Sequence, residues 1–138
     1  MLELFFTLFI SIIMFFIAII HLYWLKGGLW PGDSYQDLID KVLGTGDKLP
    51  NSFMFIFVIA IFILMAIFPI LIYFEINFIG FEKEILLVFS IIFLIRSLYM
   101  FIPAIEDKAT KVFLELNKKI YAPLCFVLSI SYFVLFIS

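Results

Sequence analysis

Residues 2–28 read LELFFTLFISIIMFFIAIIHLYWLKGG. From Leu2 to Leu25 the only charge is Glu3, and the run of about 24 residues is long enough to cross a hydrocarbon layer of roughly 30 Å with some tilt. It lacks the basic start and the small-x-small cleavage site of a signal peptide, so a retained span is expected. Thr7, Ser11, Met14, Ala18 and His21 recur at spacings of 4, 3, 4 and 3, which puts every small or polar side chain on one inward face. Tyr23 and Trp24 stand where an aromatic belt would hold the helix end, and Gly27-Gly28 releases the chain into a polar loop.

The same reading extends to the whole chain. Of its 138 residues 66% are hydrophobic and 20% aromatic, and the mean hydropathy is +1.25. A soluble core of this size could not bury so much apolar surface. The fold class expected is therefore an all-α integral membrane protein. Four transmembrane helices, at about 2–25, 53–74, 85–102 and 120–137, form one domain, with one or two short amphipathic helices in the loops. All six glycines lie outside these runs, so GxxxG packing is unavailable and bulky side chains must fill the interior.

Between the first two spans, residues 26–51 are polar and contain the turn signal Trp30-Pro31-Gly32. Asp33 precedes Gln36 at capping-box spacing, and Tyr35, Leu38, Ile39, Val42 and Leu43 recur at helical intervals, which predicts an amphipathic helix on the membrane surface or over the bundle mouth. Asn51 or Ser52 can cap the second span. That span is apolar on every side, interrupted only by Pro69, and reads as lipid-facing scaffold. The short connection 75–84 makes spans two and three antiparallel neighbours. Arg96 lies in span three, with Tyr99 and Pro103 on its face. The loop 104–119 has an amphipathic pattern of Val112, Phe113 and Leu116 against Lys111, Glu115 and Lys119. Span four carries Tyr121, Cys125, Ser129 and Tyr132 at spacings of 4, 4 and 3, a second inward stripe.

Seven lysines (26, 41, 48, 108, 111, 118, 119) fall in the loops 26–51 and 104–119, and only Lys83 falls on the other side. The positive-inside rule then makes both loops cytoplasmic and both termini external, in a bacterial inner membrane. His21, Arg96, Tyr121 and Cys125 come to one depth on that side. The ligand-binding candidates are His21, Tyr23, Trp24, Arg96, Tyr99, Tyr121 and Cys125, with Glu106, Asp107 or a lipid phosphate as the counter-charge for Arg96. The plainer alternatives are an interhelical or interfacial His21, a snorkelling Arg96, and a packing role for the span-four stripe and for Cys125.

Chemistry is constrained by what is missing. The chain has no HExxH, GxSxG, P-loop or CxxC, and one His and one Cys give no metal or haem set, so neither metal nor cofactor is expected. A net charge of −2 with no basic run excludes a nucleic-acid surface. The function expected is non-enzymatic. It is a binding or accessory subunit whose cytoplasmic-side pocket takes a lipid headgroup, an amphipathic small molecule, a partner membrane protein or a second copy. The alternatives are a membrane enzyme using His21 with Glu106 or Asp107 as acid and base on a lipidic substrate, and a transporter or channel subunit.

His-x-Tyr-Trp-x-x-Gly-Gly at 21–28, an Arg in the third span and Asn-Lys-Lys-Ile-Tyr-Ala-Pro-Leu-Cys at 117–125 resemble the DUF3995 family of small membrane proteins. The resemblance covers all four spans. It implies a four-helix membrane protein with His21, Tyr23, Trp24, Gly27, Gly28, Arg96, Tyr121, Pro123 and Cys125 on patterned positions, and departures from the pattern at Asn117 and Ala122. It implies no particular reaction.

Overall fold

The computed structural model describes residues 1–138 and contains no strand. Its helices are α1 (Leu2–Leu25), α2 (Tyr35–Val42), α3 (Ser52–Tyr73), α4 (Glu82–Leu98), α5 (Pro103–Glu106), α6 (Lys111–Leu116) and α7 (Ala122–Ile137). A 3₁₀ turn over Tyr99–Phe101 extends α4, and a π turn over Asn117–Tyr121 joins α6 to α7 without a break. Four helical stretches, Leu2–Leu25, Ser52–Tyr73, Glu82–Phe101 and Lys111–Ile137, are long and apolar enough to cross a membrane.

Helix ends follow the local chemistry. The N–H of Gly28 bonds to the carbonyl of Tyr23 at 2.9 Å and that of Gly27 to Trp24 at 3.0 Å. With Gly27 at φ +91°, this is a Schellman close of α1. Asn51 caps α3 by accepting from the Met54 N–H at 2.9 Å. The cap of α2 is shifted one residue from the expected Asp33. Ser34 accepts from the Asp37 N–H at 3.2 Å, and the Asp37 carboxylate accepts from the Asp33 N–H at 2.8 Å.

The fourth helix differs most from expectation, starting at Lys111 rather than near residue 120. Thr110 caps it, and the amphipathic pattern of residues 111–119 is its first two turns, with Phe113 only 2% exposed. In the π turn the Ala122 N–H reaches back to the Asn117 carbonyl. Pro123, which has no N–H to donate and whose ring crowds the preceding turn, follows at once.

The closest helix pairs are α1 with α3 and α4 with α7; α1 against α7 and α3 against α4 close the ring. Spans two and three are thus neighbours, yet each packs mainly on another partner. The core is bulky, with Ile10, Met14, Met65, Leu86, Phe93 and Tyr132 at its centre. The inward face of α1 holds: Thr7, Ser11, Met14 and Ala18 are buried, while Phe5, Leu8, Ile12, Phe16 and Ile19 are exposed to the lipid side.

Backbone carbonyls supply the polar glue. Ser90 Oγ donates to the Ser129 carbonyl at 2.9 Å and Ser129 Oγ to the Ser90 carbonyl at 2.8 Å, a reciprocal clasp between α4 and α7. Ser11 Oγ donates to the Ala66 carbonyl at 2.7 Å. Pro69 lacks the N–H that would satisfy the Met65 carbonyl, and Tyr132 Oη donates to that oxygen at 2.8 Å. The turn from Met65 to Pro69 is therefore a buried acceptor platform rather than lipid-facing scaffold.

Candidate functional site

His21 lies one turn before the end of α1. Its Nδ1 is 2.8 Å from the Ile17 carbonyl oxygen, and its ring centroid is 4.9 Å from Trp24, 4.9 Å from Phe62 and 6.5 Å from Phe55. The polar stripe of α1 thus faces α3. Tyr23 and Trp24 fasten the following loop. Trp24 Nε1 donates to the Trp30 carbonyl at 2.7 Å, and the Trp30 N–H donates to Tyr23 Oη at 3.3 Å. The Tyr23 ring packs on Gly28 so closely that a Cβ there would sit 2.3 Å from it. The motif at residues 21–28 is a self-fastened helix exit, with His21 left over.

Arg96 belongs to the other helix pair. Its Nη1 donates to Asn117 Oδ1 on the π turn at 3.2 Å, and its guanidinium carbon lies 5.2 Å from the centre of the Tyr99 ring. Asn117 is 1% exposed; in the sequence it stands out only as a departure from the family pattern, not as a site candidate. The signal was present, since Asn117, Tyr121, Cys125 and Ser129 recur every four residues. It was lost because the span was started at residue 120.

Both expected carboxylate partners are elsewhere. Glu106 faces Lys118 at 3.8 Å, Asp107 is exposed, and the ion pairs of the molecule include neither Arg96 nor His21. The single cluster expected from depth therefore divides. His21, Trp24, Phe55 and Phe62 form one group; Arg96, Tyr99, Asn117, Tyr121 and Cys125 form another. The acid–base pair of His21 with Glu106 or Asp107 is not assembled.

The loop-rich end is covered by α2, whose Leu38 and Ile39 are fully buried. Tyr121 Oη donates to the Lys41 carbonyl at 2.8 Å, and Thr110 Oγ1 donates to the Asp40 carbonyl at 2.6 Å. Gly44, at φ +75°, lies against the Phe113 ring, where a Cβ would approach to 2.5 Å. On the outer face Lys41 Nζ pairs with Asp37 at 2.7 Å. That hydrogen bond holds the Asp37 carboxyl below its ordinary range, with help from the Asp33 N–H, and pushes the Lys41 ammonium up.

Two surface clefts, of about 380 and 270 Å³, open at the opposite end of the bundle. The first is bordered by Glu75, Asn77 and Glu84, and the second by Glu3, Thr7 and Lys83. In the first of them Glu82 turns its carboxylate onto the backbone N–H groups of Phe78, Ile79 and Gly80, fastening the turn that starts α4. No group of His, Cys, Asp and Glu side chains is arranged to hold a metal ion.

A family model described as protein of unknown function (DUF3995) matches residues 14–132. No curated protein and no solved structure matches the chain.

Proposed function

The chain belongs to the DUF3995 family, and on that footing we propose that it is a non-enzymatic multi-pass membrane protein whose Arg96 face binds the anionic headgroup of a membrane lipid. One observation carries this reading. A guanidinium on a membrane-spanning helix is met only by neutral groups, the Asn117 amide and the Tyr99 ring. A charge at such a depth is costly unless it is paired or reaches the interface.

A phosphate supplies what the protein withholds. Arg96 stands five residues before Phe101, the end of its spanning segment, or about 8 Å along the axis. The side chain can therefore reach headgroup level with its stem still in the apolar layer. A guanidinium fork also matches the phosphate oxygens. Asn117 and Tyr99 then act as positioning groups that keep the fork extended. The lysine asymmetry supports placing this face at the cytoplasmic leaflet of a bacterial inner membrane, with residues 26–51 and 104–119 inside and both termini outside.

The test is lipid retention. Protein purified from bilayers of phosphatidylglycerol and phosphatidylcholine should retain the anionic lipid, as measured by native mass spectrometry. Arg96→Gln should lose most of that preference while keeping its helical circular dichroism. Asn117→Asp, which supplies an internal carboxylate, should also weaken it. Undiminished phosphatidylglycerol retention in a folded Arg96→Gln protein would overturn the reading.

A further inference from the structure

His21 takes no part in the Arg96 face, and its contacts settle which ring nitrogen is free. A carbonyl oxygen only accepts, so Nδ1, 2.8 Å from the Ile17 carbonyl, carries the hydrogen. In the neutral ring the lone pair is then on Nε2. The protein provides no donor for that nitrogen. Every buried side-chain nitrogen and oxygen has a partner, so the unpartnered Nε2 is not sealed in the core but opens to the surroundings of the bundle. Those surroundings are apolar and aromatic: Trp24 and Phe62 lie at 4.9 Å from the imidazole and Phe55 at 6.5 Å. Four residues, about 6 Å, separate His21 from the end of α1 at Leu25.

The geometry points to a second binding site here, one in which His21 Nε2 accepts a hydrogen bond from the hydroxyl of a membrane-dissolved ligand. The body of that ligand lies against the partly exposed rings of Trp24 and Phe62. At the edge of the hydrocarbon layer, where water is scarce, a molecule that brings its own donor satisfies such an acceptor best. A phosphodiester group has no donor hydrogen and a quinone presents only carbonyls, so neither group fulfils the requirement, whereas a headgroup hydroxyl counts with the alcohols. A lipophilic phenol, such as the reduced aromatic diol of a membrane quinol, brings both the O–H and a ring that stacks against the aromatic wall. An aliphatic lipid alcohol brings the O–H alone. A metal ion would need further ligands, and no such cluster surrounds the ring.

The single histidine makes the test specific to one residue. Protein labelled with [15N]histidine in phosphatidylcholine nanodiscs is titrated with 2-naphthol, with its methyl ether 2-methoxynaphthalene, and with 1-dodecanol, while both imidazole nitrogens are followed by NMR. The Nε2 resonance should shift saturably with 2-naphthol while Nδ1 stays with the Ile17 carbonyl. The methyl ether, matched in shape but without the donor, should bind about ten-fold more weakly, the ratio that one hydrogen bond carries. A saturable shift with 1-dodecanol would assign the site to hydroxyl lipids in general; a shift with 2-naphthol alone would assign it to phenols. Equal responses to the phenol and its ether, or no response to any probe, would overturn the proposal. No variant is needed, so misfolding cannot mimic the result, and Arg96→Gln should leave the titration unchanged.

Discussion

Tyr132 and Pro69 form a matched pair across the bundle. The proline deprives the Met65 carbonyl of its intrahelical donor, and the Tyr132 hydroxyl replaces it at 2.8 Å. Tyr132→Phe should therefore destabilise the protein by about 1 kcal/mol in denaturant unfolding. In a Pro69→Ala background the helix recovers its own N–H, and the same change should cost measurably less, a coupling of about 0.5–1 kcal/mol in the double-mutant cycle. Additive effects would mean that the phenol is held by packing alone. At this scale much was readable. The burial of Thr7, Ser11, Met14 and Ala18 follows from periodicity, and Arg96 stands out as the one charge deep in a span. Ser90 is not singled out by the sequence and Asn117 only as a departure from the family pattern, although Leu86, Ser90, Phe93 and Ser97 repeat at spacings of 4, 3 and 4 and all four are buried. A small polar residue in a spanning helix does not reveal which carbonyl across the interface it will meet.

Among the elements, α2 is the one that carries a close ion pair, Asp37–Lys41, outside the membrane-spanning segments. Its Asp37 carboxyl titrates lower in the folded protein than in the unfolded chain, so its contribution is present above about pH 3.9 and is lost as pH falls through the folded value. Lys41 is raised, so its contribution is present below about pH 10.4 and is lost as pH rises through the folded value. Amide hydrogen exchange over residues 35–42, corrected for intrinsic rates, should show a plateau of protection near neutral pH that falls at both extremes. Asp37→Asn should remove the acid limb. Persistence of that limb in the variant would place its origin elsewhere. The position of α2 was legible from its amphipathic pattern, whereas its cap moved from Asp33 to Ser34 because the Ser34 hydroxyl and the Asp37 carboxylate serve neighbouring N–H groups together. The fourth long helix began at Lys111 because charged first turns can stand beyond the apolar layer and still be helical.

For the molecule as a whole, the lysine distribution and the ring of two tight pairs make one joint prediction. A C-terminal alkaline phosphatase fusion should be active and a C-terminal green fluorescent protein fusion dark, as expected for a terminus outside the cytoplasm. The reverse pattern would invert the sidedness of both candidate sites. Composition and helical periodicity are enough to dictate that the chain lies in a membrane, that it crosses with four helices, and which stripe of α1 turns inward, because lipid rewards apolar surface and backbone self-satisfaction residue by residue. Equal depth was also readable, and it suggested that His21 and Arg96 share one site. Their separation was decided only by tertiary packing. Depth is set by distance along each helix, but rotation and choice of partner are set by which side chains fit which carbonyls. Ser11 and His21 turn α1 onto α3, while the Ser90–Ser129 clasp and the Arg96–Asn117 bond turn α4 onto α7.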